Sequence, residues 1–263
     1  MAINVNTVYT TVLSILNKEQ RGYLTPYEFN QAATQAQLDI FEKTFTELNA
    51  NISRPKTDFD YSNPVHNIDD EISTFKCIGD CTFNNAVPDN FFSLPIKDEL
   101  TNKTVVYDDQ PSSNEFAFYR IGTVNRVLDQ TGRSVEIERL QRIPYYNVER
   151  SEMTAPSENY PVYLFESRNI YVKPATIQTL VKASFIRKPK DVVWAYSVGS
   201  LGQYVYAPTA GGGLGITPAT GSVDFEISSN NQTEVILEIL KYAGIVIRDP
   251  QIIQAATQEL ADK

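Results

Sequence analysis

Hydrophobic residues recur with a helical period at both ends of the chain and with a two-residue period between them. Near the start, Val5, Val8, Tyr9, Val12, Leu13 and Leu16 fall three and four apart, which predicts an amphipathic helix over 5–17 with Gly22 as its stop. Leu24-Thr25-Pro26-Tyr27-Glu28-Phe29 then reads as the start of a second helix. Thr25 fits the N-cap, Pro26 the first helical position and Glu28 the capping-box acceptor. Leu24 and Phe29 flank the cap as a hydrophobic staple. This helix is expected to run to about Leu48 with two apolar stripes, Phe29, Ala33, Ala36 and Ile40 on one and Leu38, Phe41, Phe45 and Leu48 on the other. At the far end Asn231 and Glu234 repeat the capping-box spacing ahead of Val235, Ile236, Ile239, Leu240, Ala243 and Ile247. Asp249 as cap and Pro250 at the first position begin a last helix, with Ile252, Ile253, Ala256 and Leu260 as a narrow apolar stripe.

The middle reads as strands. Residues 53–115 are rich in Pro, Asn and Asp and offer only Thr74–Ile78 and Phe91–Leu94 as candidates. Residues 116–128 and 134–140 flank Asp129-Gln130-Thr131-Gly132-Arg133 as a β-hairpin, and Val162–Glu166, Asn169–Val172 and Thr179–Ile186 add three strands. Seven glycines between 197 and 221 flank Gln203–Ala207, which predicts a long flexible arm or hairpin before a strand at Val223–Ile227. The expectation is an α+β protein. Its helical layer is built from both chain ends, 1–52 and 231–263. An antiparallel β-rich domain, 53–230, is inserted between them, with the Gly-rich arm at 197–221.

Composition narrows the class. The 263 residues are 42% hydrophobic and 21% charged, ordinary for a globular chain, and no apolar run approaches the ~20 residues of a membrane span. No basic stretch followed by an apolar core opens the sequence, so neither a signal peptide nor a membrane partner is expected, and synthesis is expected in the cytoplasm. The net charge of −9 is uneven: residues 57–115 sum to −9, 116–190 to +5, 191–263 to −5 and 1–56 to zero. That pattern suits surface solubility or the meeting of opposed surfaces on neighbouring copies. The excess of acid argues against a protein that grips nucleic acid.

Catalytic templates find little support. Cys77, Cys81 and His66 are too few to hold zinc unaided, and two reduced thiols are expected. Asp69-Asp70-Glu71 and Asp108-Asp109 read as solvated acidic turns rather than a glycosidase pair or an EF-hand. Gly211-Gly212-Gly213-Leu214-Gly215-Ile216-Thr217 lacks the Gly-Lys-Ser/Thr ending of a phosphate loop. His66, in an expected loop, has no Ser or Cys partner on a tight strand-to-helix turn. The stretch Tyr160-Pro161-Val162-Tyr163-Leu164-Phe165 reads as core or interface packing. No enzyme activity, metal or cofactor is expected.

Gly22-Tyr23-Leu24-Thr25-Pro26 followed by Glu28-Phe29-Asn30 resembles a family of tailed-bacteriophage virion proteins. Tyr160-Pro161-Val162-Tyr163, Ile170-Tyr171-Val172-Lys173-Pro174, Phe185-Ile186-Arg187-Lys188-Pro189 leading to Trp194, and Tyr242-Ala243-Gly244-Ile245 through Asp249-Pro250 extend the likeness over most of the chain. It is most similar to the head-to-tail connector ring proteins of crAss-like, short-tailed phages. The resemblance implies a closed ring, commonly twelvefold, at the head–tail junction or upper tail of the virion, assembled in the host cytoplasm. Its implied partners are further copies of the chain, the portal protein, neighbouring tail or ring proteins, and genome DNA that passes without specific binding. A lower tail ring, a tail-tube protein or a host-binding module are the alternatives. Within this reading Ile252, Ile253, Ala256 and Leu260 are the candidate portal-docking stripe. Gln203, Tyr204, Tyr206, Leu214 and Ile216 are the candidate contacts of the arm.

Overall fold

The computed structural model describes residues 2–18, 24–52, 64–86, 90–107, 115–128, 133–208, 216–218 and 221–247. The chain divides into two compact units, one of residues 1–74 with 189–263 and one of residues 75–188.

The first unit opens with a two-residue strand β1 (Ala2–Ile3) and helices α1 (Val5–Lys18), α2 (Pro26–Ile52) and α3 (Pro64–Ser73). Asn4 caps α1, its side-chain oxygen accepting from the Asn6 and Thr7 N–H groups at 3.0 and 3.1 Å. The start of α2 forms as its sequence predicts. The Thr25 N–H and hydroxyl donate to one Glu28 carboxylate oxygen at 3.0 and 2.7 Å, and the Glu28 N–H returns a bond to the Thr25 hydroxyl at 3.3 Å. Leu24 and Phe29 are both buried in the same core.

The second unit runs β2 (Lys76–Asp80), β3 (Thr82–Asn84), β4 (Phe91–Ser93), β5 (Thr104–Val106), β6 (Glu115–Val127), β7 (Ser134–Arg139), α4 (Arg142–Arg150), β8 (Val162–Glu166), β9 (Asn169–Lys173) and β10 (Val181–Arg187). Its strand order is β2-β10-β6-β7-β8-β9-β4-β3. The two ends of that order are consecutive in the chain. Cys81 alone separates them, and its N–H still donates to the Val181 carbonyl of β10 at 2.9 Å. The two edges of the sheet are thus joined by continuous chain. Phe92, Val124, Ile137, Tyr163, Ile170 and Val181, each from a different part of that circuit, share one core. Curvature enters through a bulge in β6, where Gly122 and Thr123 face Ser184 and the Ser184 hydroxyl accepts from the Thr123 N–H at 2.8 Å. The sheet is mixed rather than wholly antiparallel, because β5 pairs parallel with β6 and β7 with β8. The β7–β8 pair needs a crossover, and α4 supplies it.

The chain then returns through β11 (Tyr196–Val198), β12 (Tyr204–Tyr206), β13 (Ile216–Thr217), β14 (Phe225–Ser228) and α5 (Gln232–Ile247). β14 pairs antiparallel with β1, which brings the two terminal segments of the described chain side by side. The core of this unit takes Val8, Val12 and Leu16 from α1, Phe29, Ala33, Ala36 and Ile40 from α2, Val235 and Ile239 from α5, and also Val192, Trp194, Phe225 and Ile227. The helical unit is accordingly larger than 1–52 and 231–263. Its boundaries fall at 74/75 and 188/189, because α3 packs on α2 and the 192–228 strands complete the helical core.

Four further local readings change. Residues 64–73 form a helix, so His66 and Asp69-Asp70-Glu71 lie on α3 and not in loops. α4 is present where no helix was expected. Asn231 ends a short 3-10 turn, donating to Glu71 at 3.4 Å, while Glu234 accepts from Lys43 at 2.5 Å. Those tertiary partners stand where the capping box was expected. Asp249 and Pro250 lie outside the described residues.

Candidate interaction surface

α2 holds the returning chain by a polar ladder. Asn30, Thr34 and Gln37 stand four and three residues apart on one face. The Asn30 side chain accepts from the Trp194 N–H at 2.7 Å and donates to the Trp194 carbonyl at 3.3 Å. The Thr34 hydroxyl makes the same double contact with Val192, at 3.1 and 3.4 Å. Gln37, fully buried, donates to the Lys190 carbonyl at 2.7 Å and accepts from the Glu226 N–H at 2.9 Å. Alternate residues of an extended segment thus find their backbone partners on a helix instead of on a strand. The opposite backbone edge pairs Val193 with Val223.

An aromatic column rises from this anchorage. Phe29 meets Tyr9 edge-on at 4.9 Å, and Tyr9 lies 4.1 Å from Trp194. Trp194 stacks with Tyr196 and with Tyr206, each at 5.9 Å, and Tyr196 meets Tyr204 edge-on at 4.7 Å. The inner rings are buried, and the outer ones belong to the three-stranded antiparallel sheet β12-β11-β13.

Beyond the column stands the β11–β12 hairpin. The Gly199 N–H donates to the Gln203 carbonyl at 2.8 Å, and the Leu201 N–H to the Gln203 side-chain oxygen at 3.1 Å. Gly202 takes a φ of +78°, which a side chain would strain. Val198, Leu201, Tyr204 and Val205 are 61, 91, 40 and 46% exposed. Tyr204 and Val205 are neighbours on one strand and point to opposite faces, so each face of the hairpin presents a partly exposed apolar side chain. At its foot a groove of about 620 Å³ is lined by Tyr27, Gln31 and Gln35 of α2 and by Val193, Tyr196 and Pro218.

The electrostatic setting is one-sided. The first unit carries 18 acidic and 9 basic residues and so the whole net charge of −9, whereas the second carries 14 of each. From Val192 to Val223 there is no charged residue. This run is visible in the sequence, but summing charge over four long segments averaged it away.

Polar pairs flank the apolar contact between α2 and α5. Lys43 is held between Glu234 and Glu47, and the bond to Glu234 raises its pKa above the usual lysine range. The Tyr242 hydroxyl bonds to Asp39, and burial first, then that bond, push its pKa up to about 12. Burial raises the Glu71 carboxyl, partly offset by the bond from Asn231.

Of the arm residues named from sequence, Gln203, Tyr204 and Tyr206 sit together in the hairpin and Ile216 on β13, which pairs with β11. Leu214 and the candidate docking stripe Ile252, Ile253, Ala256 and Leu260 lie outside the described residues, as do Asp108 and Asp109. His66 is exposed on α3, while Cys77 in β2 and Cys81 just after it are not joined in a disulfide. Among the described residues, no group of three or more His, Cys, Asp or Glu side chains is placed to hold a metal ion, and no helix is long and apolar enough to cross a membrane. What the geometry defines is an α+β chain with a braced apolar hairpin on its acidic unit. No protein-family model matches this chain, and no curated protein matches it in sequence.

Proposed function

We propose that this chain is a structural virion subunit of a head-to-tail connector ring in a short-tailed bacteriophage, docking on the portal and forming part of the conduit for genome DNA. The observation that carries the reading is the β11–β12 hairpin: rigid, apolar and exposed on a unit whose remaining charge is strongly acidic. Such a patch is stable in a protein that spends its working life covered by other protein. The plan of a helical layer from both chain ends with an inserted β domain fits a connector, whose two surfaces face different neighbours. The acidity of the helical unit suits a wall past which DNA slides without being gripped. On this reading the partners are other copies of the chain, the portal and adjoining tail proteins. The site of action is the head–tail junction or upper tail, with assembly in the host cytoplasm.

The test is mass by light scattering on the purified chain, alone and mixed with the cognate portal. A ring-sized particle, or a portal complex lost when residues 249–263 are removed, supports the connector. A monomer indifferent to the portal refutes it and moves the assignment to a lower tail ring or tail-tube protein. One observation favours a host-binding module instead: Gln203 and Tyr204 are exposed neighbours where the turn meets β12, the pairing that a sugar-binding surface uses. Glycan binding by a single subunit, lost in Tyr204→Ala, would decide for that alternative.

A further inference from the structure

We infer that the hairpin of one copy docks into the α2 groove of a second copy, with Leu201 as the inserted residue and Gln31 and Gln35 as the receiving side chains. The inference rests on the assembly reading above and names the contact that makes it.

Four observations lead there. The hairpin leaves Val198, Leu201 and Val205 largely in water, apolar surface that a second copy would cover. Its turn is nevertheless fixed by the Gln203 contacts, so Leu201 is presented with little ordering left to do on binding. The groove repeats a device that α2 already uses. Asn30, Thr34 and Gln37 grip an extended segment of the same chain by its backbone, and Gln31 and Gln35 stand one position further round the helix with the same four-residue spacing. Their amides bond along the helix, Gln31 to the Tyr27 hydroxyl at 2.8 Å and Gln35 to Asp39 at 3.0 Å, and Gln35 also reaches the Tyr242 hydroxyl. The two contacts along the helix are exposed and exchange readily for an incoming backbone.

Charge selects the occupant. Two copies of a unit at −9 repel unless they meet through uncharged surface. The run from Val192 to Val223 supplies that surface to both sides, since it contains the hairpin and also Val193, Tyr196, Thr217 and Pro218 of the groove. Only Asp191 at one end of the groove is charged. Tip and groove are different places on one chain, so the contact is head to tail and propagates from copy to copy.

The test uses the full-length chain. Leu201→Asp places a charge at a position already 91% exposed, so Trp194 fluorescence and circular dichroism should match the wild type. Self-association, read by light scattering across concentration, should weaken at least about tenfold. Leu201→Cys mixed with Gln31→Cys should give a disulfide-linked pair under mild oxidation that neither variant gives alone. If the wild type assembles and Leu201→Asp assembles equally well, the docking is overturned while the ring reading stands. A cross-link between the two variants, with a wild type that stops at a dimer, supports the docking as a reciprocal exchange between two copies and removes the ring. A wild type that is monomeric at every concentration, with and without portal, and yields no cross-link overturns both.

Discussion

Gln37→Leu is the most direct probe of how the helical unit is held together. Leucine fills nearly the same volume but offers neither donor nor acceptor. The Lys190 carbonyl loses a bond of 2.7 Å and the Glu226 N–H one of 2.9 Å, both at a side chain with 1% of its surface exposed. Taking a buried polar group from its partner costs ~1–3 kcal/mol, so the two losses sum to about 2–6 kcal/mol before any gain from the added apolar surface. With a urea slope of ~1–3 kcal/mol per molar, the midpoint should fall by about 1–2 M. The assay is selective because Trp194, the one tryptophan in the sequence, is buried in this unit's core and reports on that unit. Gln37→Glu sharpens the test. At neutral pH its carboxylate faces the Lys190 carbonyl and should destabilise more than leucine, while in acid the protonated carboxyl regains a donor and part of the loss returns. A Gln37→Leu midpoint within 0.3 M (roughly the extrapolation error) of wild type would refute the claim that the ladder fixes the returning segment.

Three other outcomes are expected. The bonds from Thr25 hold the Glu28 carboxyl below its ordinary range, so its contribution is present above that range and lost as pH falls through the lowered value. The thermal stability gap between wild type and Glu28→Gln should therefore narrow below about pH 4.5 and close in stronger acid. A methyl group at Gly79 would lie 2.3 Å from the Lys97 carbonyl oxygen and 2.6 Å from Pro95 Cβ, so Gly79→Ala forces backbone to move. It should lower the calorimetric transition of the β unit by more than ~2 kcal/mol while the Trp194 signal is unchanged, and a silent Gly79→Ala would contradict the packing. Burial and the nearby Asp80 push the Cys81 thiol up to about 12, and Cys77 is buried. Neither should react with a thiol reagent at pH 8 until urea unfolds the chain, and fast labelling of the native protein would contradict both.

What could be read in the sequence was local. The Thr25–Glu28 box, the α1 stripe, the β6–β7 hairpin and β8 to β10 each signal themselves within a dozen residues. What escaped depends on partners far along the chain. α3 is short and largely polar, with Ile68 and Ile72 as its buried anchors against α2. α4 buries Tyr145 but exposes Ile143 and Tyr146, so its pattern gives no helical stripe. Asn231 and Glu234 have capping spacing, yet Glu71 and Lys43 lie close enough to take them. The ladder was out of reach for the same reason: Asn30, Thr34 and Gln37 look like a solvated helix face until residues 190–194 come back from more than 150 positions away.

The β unit begins and ends at one doorway. The Arg187 N–H donates to the Phe75 carbonyl at 3.0 Å, so the first and last residues of its circuit are already tied together. An insertion with joined ends asks its recipient to close only a short gap, whatever the length of the loop it fills. Residues 75–188 therefore behave as a cassette. The side chains that build the helical core all lie outside it.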